Sequence, residues 1–133
     1  MTTKGKIHTS QFRFNITGSV NFVAETCHEL AKESGWWTDL LPPSQGTVAE
    51  KLLLIHSEVS EATEGFRKDL MDDKLPHRKM VEVELADALI RICDLAGAMG
   101  LDLGGAVAEK LAYNATRADH KPENRAKKGG KKF

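Results

Sequence analysis

The sequence offers little for covalent or membrane scaffolding. Cysteine occurs only twice among 133 residues, at Cys27 and Cys93, each inside an apolar helical pattern. Two thiols supply neither a disulfide framework nor, without other ligands, a zinc site. Free thiols in a reducing, cytoplasmic setting are the expectation. No apolar leader segment follows Met1, and no apolar run approaches the ~20 residues of a membrane span. Net charge is also lacking. Its distribution is uneven: residues 121–133 hold six Lys/Arg and one acid, leaving 13 basic and 18 acidic residues in 1–120. A mildly acidic body with a short basic tail does not read as a nucleic-acid binder. There is no Gly-rich phosphate loop of Walker type and no Ser or Cys in a recognisable nucleophile setting. Covalent catalysis is therefore not expected.

What remains is helix. Thr17 or Ser19 can cap a first helix that ends near Ser34, before Gly35. Ser44 can cap a second, reaching Asp72 or Asp73. Pro76 disfavours helix at Leu75 and prepares a third, from about His77 to Met99. Asp102 can cap a fourth, Leu103 to Asp119. Phe12-Arg13-Phe14-Asn15-Ile16 alternates apolar and polar, so residues 1–16 read as an extended N-terminal arm. Residues 121–133 read as a basic disordered tail. The expectation is one all-α, four-helix bundle-like domain over 17–120. The third helix is apolar or small on several sides, which a chain this short would struggle to cover alone. A homo-oligomer, dimer or tetramer, is expected, with that helix near its interface.

Two acidic repeats stand out within these helices. Glu58-Val59-Ser60-Glu61 and Glu84-Leu85-Ala86-Asp87 each place two carboxylates three residues apart, on one helical face. Val48, Leu52, Ile55, Val59, Ala62 and Phe66 form an apolar seam beside the first pair. A matching seam of Val81, Leu85, Ala88, Ile92, Leu95 and Met99 flanks the second. Antiparallel packing through these seams would bring Glu58, Glu61, Glu84 and Asp87 together. Like charges so placed take up protons or bind a cation. An all-oxygen cluster suits Mg²⁺, with Mn²⁺ as substitute, better than zinc or copper. Di-iron bundles use Glu-x-x-His pairs, and neither repeat has a His at that spacing. Taken singly, a Glu-x-x-Glu match is common on solvated faces.

Lys110, Asn114 and Arg117 recur at i, i+4 and i+7 on the fourth helix. Such a triple is ordinarily a solvated face. Beside a metal cluster it becomes a candidate clamp for polyphosphate oxygens, Arg117 binding two at once. Trp36 and Trp37 at the first helix exit are core closure or a stacking surface for a nucleobase. Asn21 and His28 are further base-binding candidates. Arg91 follows Asp87 by one turn and is expected to pair with Asp87 or Asp94.

The paired acidic motifs, separated by 22 residues, resemble the signature of the MazG-like all-α nucleoside triphosphate pyrophosphohydrolases. The stretches Leu54–Ala62 and Val83–Leu89 are similar in context, and Lys110-x-x-x-Asn114-x-x-Arg117 resembles the family's downstream basic helix. The likeness covers about residues 48–120. It implies an oligomeric α-helical bundle that cleaves a nucleoside triphosphate between the α and β phosphates, in nucleotide-pool cleaning. It implies Mg²⁺ at Glu58, Glu61, Glu84 and Asp87, and phosphate contacts from Lys110, Asn114 and Arg117, across a subunit boundary in some arrangements. Arg91 departs from the apolar or aromatic residue expected there. By chemistry, Glu61, with Glu58, is the candidate to orient or deprotonate a water. The rival readings are a non-catalytic nucleotide- or metal-binding regulator and a helical interaction module.

Overall fold

The computed structural model describes all 133 residues. It is all-helical, and the one β-type contact is an isolated bridge between Met71 and Lys79. The helices are α1 (Thr3–Lys6), α2 (Ser10–Glu33), α3 (Gln45–Arg67), α4 (Met80–Ala98), α5 (Leu103–Thr116) and α6 (Pro122–Arg125), with a 3-10 turn at Ala118–His120. No helix is long and apolar enough to cross a membrane. The chain divides into two compact units, Phe22–Leu101 and Met1–Asn21 with Asp102–Phe133.

In Phe22–Leu101, α2 is closed by a Schellman arrangement. Gly35 takes φ +82°, its N–H donates to Lys32 and that of Trp36 to Ala31. Ser44 caps α3, its hydroxyl accepting from the Thr47 amide at 3.1 Å. α3 ends at Arg67, five residues before the earliest expected stop. A tight connector replaces its expected last turn. The Asp72 carboxylate accepts from the amides of Lys74 and Leu75, and the Met80 amide donates to Leu70. α4 then returns antiparallel: Gly65 of α3 abuts Met80 at one end, and Glu58 meets Arg91 at the other.

The antiparallel pair was expected, and so was part of its facing stripe: Ala62 is buried and Val48 and Ile55 are half-buried. On α3 the buried residues are Glu58, Ala62 and Gly65, whereas seam residues Leu52, Val59 and Phe66 are exposed, Phe66 by 76%. On α4, Ala88 and Leu95 are buried as expected, but Leu85, Ile92 and Met99 are exposed. Small and apolar residues bury with Glu58 in the pair, and the larger residues of the expected seam are left uncovered. Periodicity finds an amphipathic helix; it does not choose between adjacent stripes when small residues such as Ala62 and Gly65 admit the closer approach.

In the other unit, α2 begins at Ser10, not at Thr17 or Ser19, and residues 3–6 are helical too. The extended arm is therefore overturned. Phe12, Ile16 and Val20 are half-buried at a spacing of four, which is the helical period the short alternation concealed. The Thr9 hydroxyl accepts from the Phe12 amide at 3.3 Å. The tail is ordered in part: Pro122 opens α6, and Asn124 Nδ2 donates to the Ala118 carbonyl at 2.7 Å.

Asp102 caps α5 as expected, accepting from Gly105 at 2.9 Å. Asn21 locks that terminus. Its Nδ2 donates to Asp102 at 2.8 Å and its Oδ1 accepts from Gly104 at 2.7 Å. A Cβ on Gly104 would run into the Thr17 carbonyl oxygen. Gly104→Ala is expected to cost about 2 kcal/mol or more, as overpacking against backbone does. Thermal unfolding checks this, and an unshifted midpoint would show that α5 approaches α2 less closely.

Candidate functional site

Within Phe22–Leu101, Glu58, Glu84 and Asp87 each offer a carboxylate oxygen within 4.8 Å of the others. The spacing of each repeat explains their placement: Glu58 projects from the contact face of α3, and Glu84 and Asp87 are one turn apart on α4. Glu58 is buried, while Glu84 and Asp87 are half-buried. Glu61, the fourth expected ligand, is exposed and stands outside this group. Its charge still reaches Glu84.

The electrostatics are those of crowded acids. Glu84 is pushed up to about 7, first by lost hydration, then by its hydrogen bond to Glu58 and the charges of Glu61, Glu58 and Asp87. Burial and the Glu58 charge also raise Asp87, against the opposing pull of Arg91. A carboxyl raised in the fold stabilises it fully below the unfolded value, near 4.5, and loses that advantage as pH rises through about 7. The metal-free protein is therefore expected to melt several degrees higher at pH 5.5 than at pH 8. A flat profile in thermal scans would show that the three acids do not crowd.

Arg91 meets this cluster directly. Its Nε donates to Glu58 Oε1, not to Asp87 or Asp94 as expected. The guanidinium is thus a built-in cation on buried Glu58. Truncating it leaves buried Glu58 unpaired. Arg91→Leu is expected to lower the melting point of the metal-free protein and to tighten Mg²⁺ binding by about tenfold, since the ion no longer competes with a fixed charge. Calorimetric titration reads this, and weaker Mg²⁺ binding in a folded variant would refute it.

A cavity of about 700 Å³ adjoins the cluster, and Glu58, Asp87 and Arg91 form part of its wall. Trp36, Lys51 and Asp94 contribute to the rest. Trp36 is 68% exposed, whereas Trp37 is 3% exposed. Trp37 therefore closes the core, and Trp36 keeps a face for a ligand. Trp37 Nε1 donates to Asp94 Oδ1 at 2.7 Å, and Lys51 Nζ lies 4.8 Å from its ring centroid. His28 is buried, with Nδ1 2.9 Å from the same Asp94 oxygen and its ring edge-on to Trp37 at 5.7 Å. A carboxylate only accepts, so His28 carries its proton on Nδ1. His28, Trp37 and, in the other unit, Asn21 spend polar groups on internal bonds. Of the four base-binding candidates, Trp36 alone lines the cavity.

The basic triple is not one stripe. α5 ends at Thr116, and Arg117 is extended, with ψ 130°. Its Nε and Nη2 donate to both oxygens of Asp119, at 2.9 and 2.5 Å. Asp119, two residues on, captures the fork that was expected to take phosphate. Lys110 Nζ lies 4.9 Å from the Tyr113 ring centroid, and Asn114 Oδ1 is buried without a partner. The sequence reading missed Lys51 and Asp94 as cavity residues. Lys51 precedes Glu58 by seven residues, two turns along the same stripe, which was the available signal. No family model, curated protein or solved structure matches the chain.

Proposed function

We propose that the protein is a Mg²⁺-dependent nucleoside triphosphate pyrophosphohydrolase, converting (d)NTP to (d)NMP and pyrophosphate in nucleotide-pool cleaning. One observation carries the reading: three carboxylates lie within 4.8 Å of one another, and two of them, Glu58 and Asp87, stand in the wall of a cavity that also offers an exposed indole and two cations. The donor set fits a hard cation, because all three donors are carboxylate oxygens. Mg²⁺ held by Glu58, Glu84 and Asp87 would supply neutralisation of charge on the phosphate oxygens. The chain's own groups do the rest. Trp36 stacks on the base. Lys51 and Arg91 bind phosphate oxygens; Arg91, once released from Glu58, is able to bind two. Glu61, exposed and near Glu84, orients a water for in-line attack and accepts its proton.

The uncovered apolar residues of α3 and α4, Leu53 and Phe66 among them, support assembly into a homodimer or homotetramer. The deciding experiment is incubation with a panel of dNTPs and NTPs plus Mg²⁺, with products identified. Monophosphate and pyrophosphate are expected. Orthophosphate would point to a phosphatase-type reaction, and nucleotide binding without turnover to a regulator.

A further inference from the structure

The Asp94 carboxylate sits in the cavity wall in an unusual state of partial use. Trp37 Nε1 and His28 Nδ1 both donate to Oδ1, at 2.7 and 2.9 Å. A carboxylate oxygen has two lone pairs, so Oδ1 is saturated. Oδ2 takes no hydrogen bond and is not among the solvent-sealed atoms. The two donors come from buried side chains packed edge to face, and the His28 ring rests on Gly97. The carboxylate is thereby fixed in direction. Oδ2 is its one unbonded acceptor, and the residue lines a space whose wall includes an exposed indole.

A lone, negatively charged acceptor selects by hydrogen-bond polarity. The exocyclic amino group of cytosine or adenine offers it a hydrogen. Uracil and hypoxanthine place a carbonyl oxygen at that corner instead. The imide N–H of uracil lies between two carbonyls that a carboxylate repels. Sites built to hydrogen-bond one such group reject the analogue lacking it, because the buried protein group is left unpaired. Trp36 adds stacking, which every base accepts, and so gives affinity without that choice.

We propose that Asp94 is a specificity-determining residue, and that the cavity takes nucleotides whose base carries an exocyclic amino group in preference to their deaminated counterparts. The inference names the substrate class of the pyrophosphohydrolase proposed above and rests on that reading for its catalytic consequence. Its binding consequence stands alone.

The test is equilibrium binding of matched monophosphates, dCMP against dUMP and dAMP against dIMP, followed by tryptophan fluorescence of the full chain. The amino member of each pair is expected to bind about 10- to 100-fold more tightly. Asp94→Asn keeps an acceptor for Trp37 and His28 and replaces Oδ2 with an N–H donor. It is expected to abolish or invert the preference while the melting point stays near that of the parent. Equal binding within the wild-type pairs overturns the inference. So does an unchanged ratio in a folded Asp94→Asn. Pyrophosphate release without base preference would sink the specificity and leave the hydrolase. An amino preference without pyrophosphate release would sink the hydrolase and leave the pocket.

Discussion

Glu58→Gln is expected to abolish Mg²⁺-dependent stabilisation and to lower pyrophosphate release by about 10³-fold or more. Glu58 is the buried member of the acidic group and the only one bonded to Arg91. Removing its charge removes the ligand with least access to competing water. In the parent, Mg²⁺ at a hundred times its dissociation constant stabilises the folded state by about 2.7 kcal/mol. That corresponds to a rise of several degrees in melting point for a chain of this size. The variant should show no rise. It should nevertheless fold without metal, because Gln keeps an acceptor for Arg91 and relieves the repulsion that pushes Glu84 and Asp87 up. Paired thermal scans with and without Mg²⁺ make the distinction. A variant that still gains stability from Mg²⁺ would place the ion elsewhere and remove the engine from the proposed reaction.

Three of the four expected carboxylates, Glu58, Glu84 and Asp87, were legible from spacing alone. Residues three apart on a helix point within about 60° of each other, so Glu84 and Asp87 could both reach the α3 side. Antiparallel return of α4 followed from the short connector. Which stripe of α3 would face α4 was legible only in part. Ala62 and Gly65, on the Glu58 side of the helix, allow close packing there, and Leu52, Val59 and Phe66 are left outside. Glu61 followed them outward, although it shares the Glu58 repeat, because three positions turn a side chain by about 60° from its neighbour's direction. The N-terminal helix was hidden by a five-residue alternation too short to tell period 2 from period 3.6. Arg117 was misplaced for a different reason. Its helical stripe assumed a helix running to Asp119, but α5 stops at Thr116 and Asp119 then holds the guanidinium. Asp94 carries no sequence signal for its role, since its partners Trp37 and His28 lie 57 and 66 residues away.

Glu61→Gln is expected to lower turnover by about 10²- to 10⁴-fold, the usual range for a lost general base. Its Mg²⁺-dependent stabilisation should persist, because Glu61 lies outside the three-carboxylate group. Nucleotide affinity should persist too, since Glu61 is not part of the cavity wall. This pattern separates two jobs that a single acidic motif would otherwise merge. A ligand role would cost metal binding and turnover together, as argued for Glu58. A base role costs turnover alone. Gln preserves length and hydrogen bonding but does not accept a proton at any working pH. Exposure favours the base role, since a solvated carboxylate is free to exchange its proton with water between turnovers. Single-turnover kinetics beside Mg²⁺ titration would read both. Full turnover in Glu61→Gln would transfer the base to another group near the cavity, with Glu50, in its wall, the next to replace.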